Sequence, residues 1–393
     1  LGEGEEVTLE YIALYRRARD EDWTKEELLR EAARIPGIYV PSFYEPVYRP
    51  DGTLEEMRIR EGSGAPELVR KRVVEDMNKS YFPVKTIIPS TEIVHDRVML
   101  ELFRGCIRGC RFCQAGYVYR PVRSRDPKQL AEYGKAACED SGYQEMTLSS
   151  LSSTDYPCLL ELCDDLLDYC APRDIGLSLP SLRADTFSMN LMERLQRVRK
   201  GGLTFAPEAG TQRLRDAINK NLREEDLLQS CRTAFAGGWS GVKLYFMLGL
   251  PTETDEDVLG IADLARKVYF AWREYTPNPK RGVRITVSTS WFVPKPHTAF
   301  QWEAQIPVEE YQRRVGLLRD ALKRDKSITY NWHDPQTSYL EAIFSRGDRR
   351  LADVLEWAWQ HGAKFDSWSE YFDYQRWMDA LEACGLDGDF YAH

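Results

Sequence analysis

Three cysteines, Cys106, Cys110 and Cys113, stand at a C-x3-C-x2-C spacing within Leu102-Phe-Arg-Gly-Cys106-Ile-Arg-Gly-Cys110-Arg-Phe-Cys113-Gln-Ala-Gly116. Three thiolates on one tight loop can hold one ion or one cluster. A structural zinc site closes with four ligands, and a cubane cluster normally takes a thiolate on each iron, so this set is one short. A [4Fe–4S] cluster on three thiolates keeps one iron open for a further ligand. Two other readings stay open: a zinc site completed by a distant histidine, and thiols that bind nothing. Gly105 and Gly109 are expected at backbone angles closed to other residues, so that the chain can wrap a cluster.

The elements that position this loop follow from the patterning. Val98–Phe103, just before it, is an apolar run that reads as a buried parallel strand. From there short apolar runs alternate with helical spacing, the mark of a parallel β/α architecture. Val98–Phe103 precedes a helix over Pro127–Asp140, Glu145–Leu151 precedes Tyr156–Cys170, and Ile175–Leu179 precedes Phe187–Val198. Leu203–Ala206 precedes a helical region reaching Phe235, Val242–Leu248 precedes Glu256–Glu274, and Arg284–Ser290 precedes Val308–Arg324. That makes six strand–helix units. In such folds chemistry sits past the carboxyl ends of the strands. The residues found there are Ser149 to Ser153, then Ser181, Arg183 and Asp185, then Glu208 and Thr211, and then Gly249 and Pro251. Lys243 lies inside the fifth strand, facing either the barrel or the polar rim of the helices. His297 follows the sixth in an aromatic, proline-stiffened loop. Each has a plain structural alternative: Thr211 and Thr254 as helix caps, Glu208 as a favourable charge at a helix start, Arg183 and Asp185 as a surface pair.

The cysteine loop resembles that of the radical SAM superfamily, and the resemblance covers most of the chain. It implies a partial (β/α)6 barrel. It also implies that Cys106, Cys110 and Cys113 bind the cluster and that S-adenosylmethionine chelates the open iron through its amino and carboxylate groups. Phe112 would then lie near the adenine. Ala206-Pro-Glu208-Ala-Gly210-Thr211 is similar to a turn of the methylthiotransferase-like branch, which implies Glu208 for the cofactor's amino group and Thr211 for its carboxylate. Leu248-Gly-Leu-Pro251-Thr-Glu-Thr254 is similar to that branch's adenine-contacting turn, which implies Gly249 and Pro251. Where the superfamily often has Gly-Gly-Glu, this chain has Leu148-Ser149-Ser150, leaving Ser149 for the amino group; Ser181 and Arg183 would meet ribose or carboxylate. The Pro294-Lys295-Pro296-His297-Thr298 segment resembles one group with an upstream cobalamin-binding-like domain, the YgiQ-like branch. The opening Gly-Glu-Gly-Glu implies that such a domain precedes Leu1. No Asp-x-His-x-x-Gly stretch stands here to ligate cobalamin, so that cofactor is assigned only to the upstream domain.

The implied activity is reductive cleavage of S-adenosylmethionine to a 5′-deoxyadenosyl radical, with flavodoxin or ferredoxin as electron donor. Methylation or methylthiolation of RNA or protein is the expected use. The alternatives are another radical reaction on a small metabolite, and a non-catalytic iron–sulfur or zinc binding protein.

Three regions are expected: a helical and hairpin linker over 1–90, a core over 91–325, and a small helical extension over 326–393. Helices are expected at Val7–Arg19, at Thr24–Arg34 with Asp22 or Thr24 as cap, and at Pro66–Asn78, with a hairpin turning at Tyr48–Gly52. The net charge of −9 argues against non-specific coating of nucleic acid. Yet Arg104, Arg108, Arg111, Arg120, Arg123, Arg125 and Lys128 crowd the cysteine segment, either to receive an anion or to offset thiolate charge. No apolar run approaches the ~20 residues of a membrane helix. Nine cysteines at irregular spacing and no signal-like start point to the cytoplasm.

Overall fold

The computed structural model describes residues 2–91, 93–179 and 203–393. The chain divides into two compact units, Leu1–Pro83 and Val84–His393.

In the first unit, α1 (Gly4–Asp20) and α2 (Lys25–Ala32) precede a hairpin of β1 (Tyr44–Tyr48) and β2 (Leu54–Ile59). Thr24 starts α2 with a capping box: its hydroxyl accepts from the Glu27 N–H, and the Glu27 carboxylate accepts from the Thr24 N–H at 2.8 Å. Val7, Ala32, Ile38, Val40, Phe43 and Tyr44 form the core. The helix expected over Pro66–Asn78 is absent, although Val74 and Met77 are buried as its spacing required. Its backbone is committed elsewhere: the Arg72 carbonyl accepts from the Glu3 N–H at 3.0 Å, and the Val74 N–H donates to the Glu3 carboxylate. Arg72 also reaches Glu6 and Glu10 of α1. Tertiary hydrogen bonds here override the local pattern.

The second unit alternates strand and helix. It runs β3 (Val98–Glu101), a two-residue ladder of β4 (Phe103–Arg104) and β5 (Arg123–Ser124) around α3 (Ala115–Val118), then α4 (Pro127–Ser141), β6 (Glu145–Ser149), α5 (Leu159–Cys170) and β7 (Gly176–Ser178). It continues with β8 (Leu203–Glu208), α6 (Gln212–Ala217), α7 (Glu224–Ala236), β9 (Gly241–Leu248), α8 (Asp255–Tyr275), β10 (Arg284–Trp291), α9 (Val308–Leu322) and β11 (Ile328–Trp332). The helices α10 (Pro335–Arg346), α11 (Leu351–Gln360), α12 (Tyr374–Ala383) and α13 (Gly388–Ala392) complete the chain.

All six expected strands are present and parallel, in two sheets of order β3–β6–β7 and β11–β10–β9–β8. The expected helix over Phe187–Val198 lies outside the described residues. β11 is a seventh parallel strand, inside the segment expected to be purely helical. It is a short edge strand with Thr329, Asn331 and Trp332 exposed, so it lacks the apolar run that marked the others. The α/β class holds, with β9 buried on one face and β6 and β10 burying residues on both, Thr147 and Ser288 among them. In β9, Val242, Leu244, Phe246 and Leu248 are buried, while Lys243, Tyr245 and Met247 point to the opposite face and stay partly open. The same alternation in β3 buries Val98 and Leu100, while β6 buries Met146, Thr147 and Leu148 in succession.

The carboxyl-terminal helices have their own core, including Leu340, Ile343, Val354, Trp377 and Leu381, which Val293 from the loop after β10 joins. Among the described residues no helix is long and apolar enough to cross a membrane.

Candidate functional site

The cysteine loop springs from the end of β3. The Leu102 N–H donates to the Ser149 carbonyl at the end of β6, and the β4–β5 ladder closes the loop at its base. Gly105 has φ of 86°, and a Cβ there would lie 2.8 Å from the carbonyl oxygens of Tyr119 and Pro121. Only glycine suits that position. Gly109 differs from expectation: it has no left-handed φ, and what it supplies is close approach, with Asn219 Nδ2 only 3.0 Å from where its Cβ would be.

That approach is the main seam of the site. Asn219 donates to the Gly109 carbonyl at 2.7 Å, the Arg111 N–H donates to the Ile218 carbonyl at 3.0 Å, and the Arg111 guanidinium donates to the Ala217 carbonyl at 2.6 Å. From the far side, Gln114 donates to the Pro296 carbonyl at 3.2 Å and the Phe300 N–H to the Arg111 carbonyl at 3.3 Å. The loop is thus tied to the segments that follow β8 and β10. Phe112 packs against Ala209, Leu214, Ile218, Leu250, Phe292 and Phe300, which follow β8, β9 and β10. So the cysteines, Phe112 and three strand ends share one place.

Cys110 is buried, while Cys106 and Cys113 are partly open. The Arg108 N–H donates to Cys106 Sγ at 3.4 Å, and Gly116 lies beside Cys113, its Cβ position in ordinary contact with Sγ at 3.9 Å. Among the described residues no three His, Cys, Asp or Glu side chains gather around a single-ion position. The thiols of a cubane bind different irons and stand apart, whereas a structural zinc ion gathers four ligands on one point. Three thiols on one loop that Gly105 lets turn back on itself are a donor set that fits [4Fe–4S].

The basic segment is largely bracing. Arg108 pairs with Asp155, Arg104 with Glu101, and Arg120 donates to the Gly116 and Arg108 carbonyls. Arg123 and Arg125 are buried. Asp155 is a residue the sequence reading missed. The serine turn after β6 builds it in, with Ser152 donating to its carboxylate at 2.7 Å, so those serines also serve the loop. Ser149 lies at the mouth of this turn; Ser181 and Arg183 lie outside the described residues.

After β8, Glu208 has φ of 70°, an uncommon conformation for a residue with a side chain, at the strand end. Its carboxylate accepts from Lys220 at 3.0 Å, and Lys220 Nζ also lies 5.9 Å from the Phe112 ring centroid. Glu208, Lys220 and Phe112 therefore form one group. Thr211 takes the capping role: its hydroxyl accepts from the Leu214 N–H at 3.3 Å and donates to Asp257. Buried Arg215 donates to the Ala209 carbonyl at 2.9 Å and holds the turn from beneath.

Asp257, only 2% exposed in the first turn of α8, was also missed, although a Thr254-x-x-Asp257 box was its signal. It accepts from the Thr254 N–H at 2.9 Å, the Thr254 hydroxyl at 3.1 Å, Thr211 and Arg213. Arg213 in turn donates to the Thr252 carbonyl at 2.9 Å. Burial disfavours its charge, yet hydrogen bonds from Thr211, the Thr254 N–H and Arg213 outweigh that and hold its carboxyl below the usual range. One carboxylate thus bolts the turn after β8 to the turn after β9. Gly210 lets them meet, since a Cβ there would stand 2.2 Å from the Asp257 carbonyl oxygen.

In the second turn Gly249 has φ of 86° and its N–H donates to buried Glu253 at 2.7 Å, next to Pro251. Burial pushes the Glu253 carboxyl up to about 7, against the pull of the Gly249 N–H and Arg314. His297 is exposed at φ of 64°, with its N–H on Gln301, while neighbouring Lys295 pairs with Glu341 of α10. That loop docks the carboxyl-terminal helices.

The radical SAM superfamily model matches residues 100–265, and the model for the N-terminal region of radical SAM proteins matches 1–41. An uncharacterised protein of Methanocaldococcus jannaschii is 34% identical over 265 residues, covering 66% of this chain and 54% of that protein. A threonylcarbamoyladenosine tRNA methylthiotransferase of Bacillus subtilis is 21% identical, covering 56% of this chain and 48% of its own. Among solved structures, the radical S-adenosylmethionine methyltransferase TsrM of Kitasatospora setae, with cobalamin and a [4Fe–4S] cluster bound, is similar at a TM-score of 0.47 and 12% identity, over 73% of this chain and 61% of that one. The chain spans about half the length of the curated relatives it matches. With the three-thiol loop seated on parallel strand ends, and the family match running from β3 into α8, residues 100–265 form a radical SAM domain, of a superfamily whose members are enzymes.

Proposed function

We propose that this protein reductively cleaves S-adenosylmethionine and uses the resulting radical to modify a carbon of its substrate. A [4Fe–4S] cluster on Cys106, Cys110 and Cys113 would supply one electron to the sulfonium, whose carbon–sulfur bond breaks to methionine and a 5′-deoxyadenosyl radical. The electron would come from a small donor such as flavodoxin or ferredoxin. The observation that carries this reading is the fastening of the cysteine loop to the segments after β8 and β10, which puts Phe112 against the apolar cluster that includes Leu250 and Ala209.

The chain's own residues then have these roles. Phe112 and the Gly249–Pro251 backbone wall the adenine. The Glu208–Lys220 pair meets the amino and carboxylate groups of methionine, each side chain answering the group of opposite charge. Ser149 contributes a hydroxyl from the other sheet. Asp257 holds the two turns in register, and the apolar group around Phe292 and Phe300 keeps water from the radical. Methyl or methylthio transfer is the use supported by similarity to a tRNA methylthiotransferase; a second reading, a radical reaction on a small metabolite, is supported by the open polar interior face of β9 and β10.

The test is anaerobic reconstitution with iron and sulfide, followed by titration with S-adenosylmethionine under electron paramagnetic resonance. A [4Fe–4S] signal that changes on adding the cofactor supports the reading. One zinc per chain, with no iron retained, overturns it.

A further inference from the structure

Lys243 is a cation on the sheet face turned away from the helices. Its neighbours in β9, Val242 and Leu244, are buried on the helix side, so Lys243 and Tyr245 face the interior. The register sets Thr204, Lys243, Thr286 and Thr329 in one row across four strands, and Tyr245, Ser288 and Asn331 in the next. Nζ lies 4.5 Å from the Tyr245 ring centroid, so the side chain leans along the strand toward its carboxyl end, where the cysteine loop sits. Arg284 opens the same face at the amino end of β10. Among the described residues no carboxylate pairs with Lys243, whereas Lys220, Arg108 and Arg314 all have one. A partly enclosed ammonium flanked in its row by the hydroxyls of Thr204 and Thr286, with Ser288 and Asn331 in the row beyond, lacks an anion and has donors on the same face to help hold one.

We propose that Lys243 anchors the carboxylate or phosphate of a small organic substrate, with Thr286, Ser288 and Asn331 completing its hydrogen bonds. This rests on the reading that the strand ends carry the radical chemistry, and it narrows the substrate class. Tyr245 lies three residues below the end of β9, roughly 10 Å at ~3.3 Å per residue. A polymer backbone resting on the strand ends does not reach that depth, but a small anion does. The tail of such a substrate would extend toward Phe112 and the cofactor.

The test uses the full chain with its lysines reductively ¹³C-dimethylated, which keeps their charge, and NMR titration with succinate and with inorganic phosphate at constant ionic strength. Lys243→Arg assigns the signal; Lys243→Met does so if the arginine variant does not fold. A saturable shift of the Lys243 signal is expected, separating carboxylate from phosphate by affinity, and isothermal titration calorimetry should find binding to Lys243→Met weaker by about tenfold. A linear drift matching that of exposed Lys280 and Lys323 overturns the proposal, and tighter binding of an acidic peptide overturns the small-molecule assignment. The measurement needs neither cluster nor S-adenosylmethionine, so its failure is distinct from failure of cofactor cleavage.

Discussion

Asp257→Asn is the sharpest perturbation of the scaffold. The carboxylate is 2% exposed and accepts four hydrogen bonds, from Thr211, Arg213 and the N–H and hydroxyl of Thr254. An amide in its place accepts at one atom only and turns its NH2 toward a donor. Breaking a buried charged pair costs about 3–5 kcal/mol, and a lost hydrogen bond to a charge about 1.5–3 kcal/mol. The Arg213 side chain is 53% exposed, so its share is discounted for solvent screening, leaving roughly 2–4 kcal/mol for the site. At ~2–4 °C per kcal/mol for chains of 150–250 residues, and less for longer ones, the melting point should fall by about 3–8 °C. Circular dichroism on the apoprotein reads that change. The carboxyl is held below its ordinary 3.8, so its stabilisation is complete above that pH and lost as the pH falls through the lower folded value. The variant should therefore lose part of the acid sensitivity as well. In reconstituted protein, affinity for S-adenosylmethionine should fall by more than the cluster content does, because two turns shift while the thiols stay. A melting point within 1 °C of wild type (about 0.6 kcal/mol by the same conversion), or cluster loss without loss of cofactor affinity, would refute the reasoning.

Gly210→Ala should be worse than Gly249→Ala: the first sets a Cβ 2.2 Å from backbone of α8, which cannot yield, and the second meets the Ile306 side chain at 2.9 Å, so soluble yield and melting point should rank accordingly. Burial pushes the thiols of Cys138 and Cys170 up to about 11 and Cys231 up to about 12, so N-ethylmaleimide at neutral pH should label the partly open Cys106, Cys113, Cys158 and Cys384 of the apoprotein ahead of those three, as read by peptide mass spectrometry. Hydrogen bonds from Arg313 and Arg314 lower the Glu310 carboxyl to about 2; its stabilisation is full above the ordinary 4.5 and lost as the pH falls toward 2, and Glu310→Gln should flatten that part of the stability profile.

Much of this architecture was legible because two strong signals coincide. Apolar runs of strand length marked β3, β6, β7, β8, β9 and β10, and the glycine-spaced cysteines fell directly after the first of them. What escaped had physical reasons. β11 pairs on one edge and exposes three of its five residues, so composition does not announce it. Pro66–Asn78 has helical spacing, but its backbone is claimed by Glu3. In sequence Arg108 reads as receiving an anion or offsetting thiolate charge, and the structure spends it on Asp155, a partner 47 positions away that no local pattern reveals. Gly109 was assigned for its backbone freedom, and what matters there is the room it leaves for Asn219. Asp257 joins segments 46 positions apart, so its capping-box signal disclosed one of its tasks and hid the other.

The most direct test of the central claim is product formation. Anaerobically reconstituted protein, reduced with dithionite in the presence of S-adenosylmethionine, should yield 5′-deoxyadenosine and methionine in equal amounts, and Cys110→Ala should yield neither. Equal product from Cys110→Ala, or a reconstituted and reduced cluster that binds S-adenosylmethionine and never cleaves it, would contradict the account.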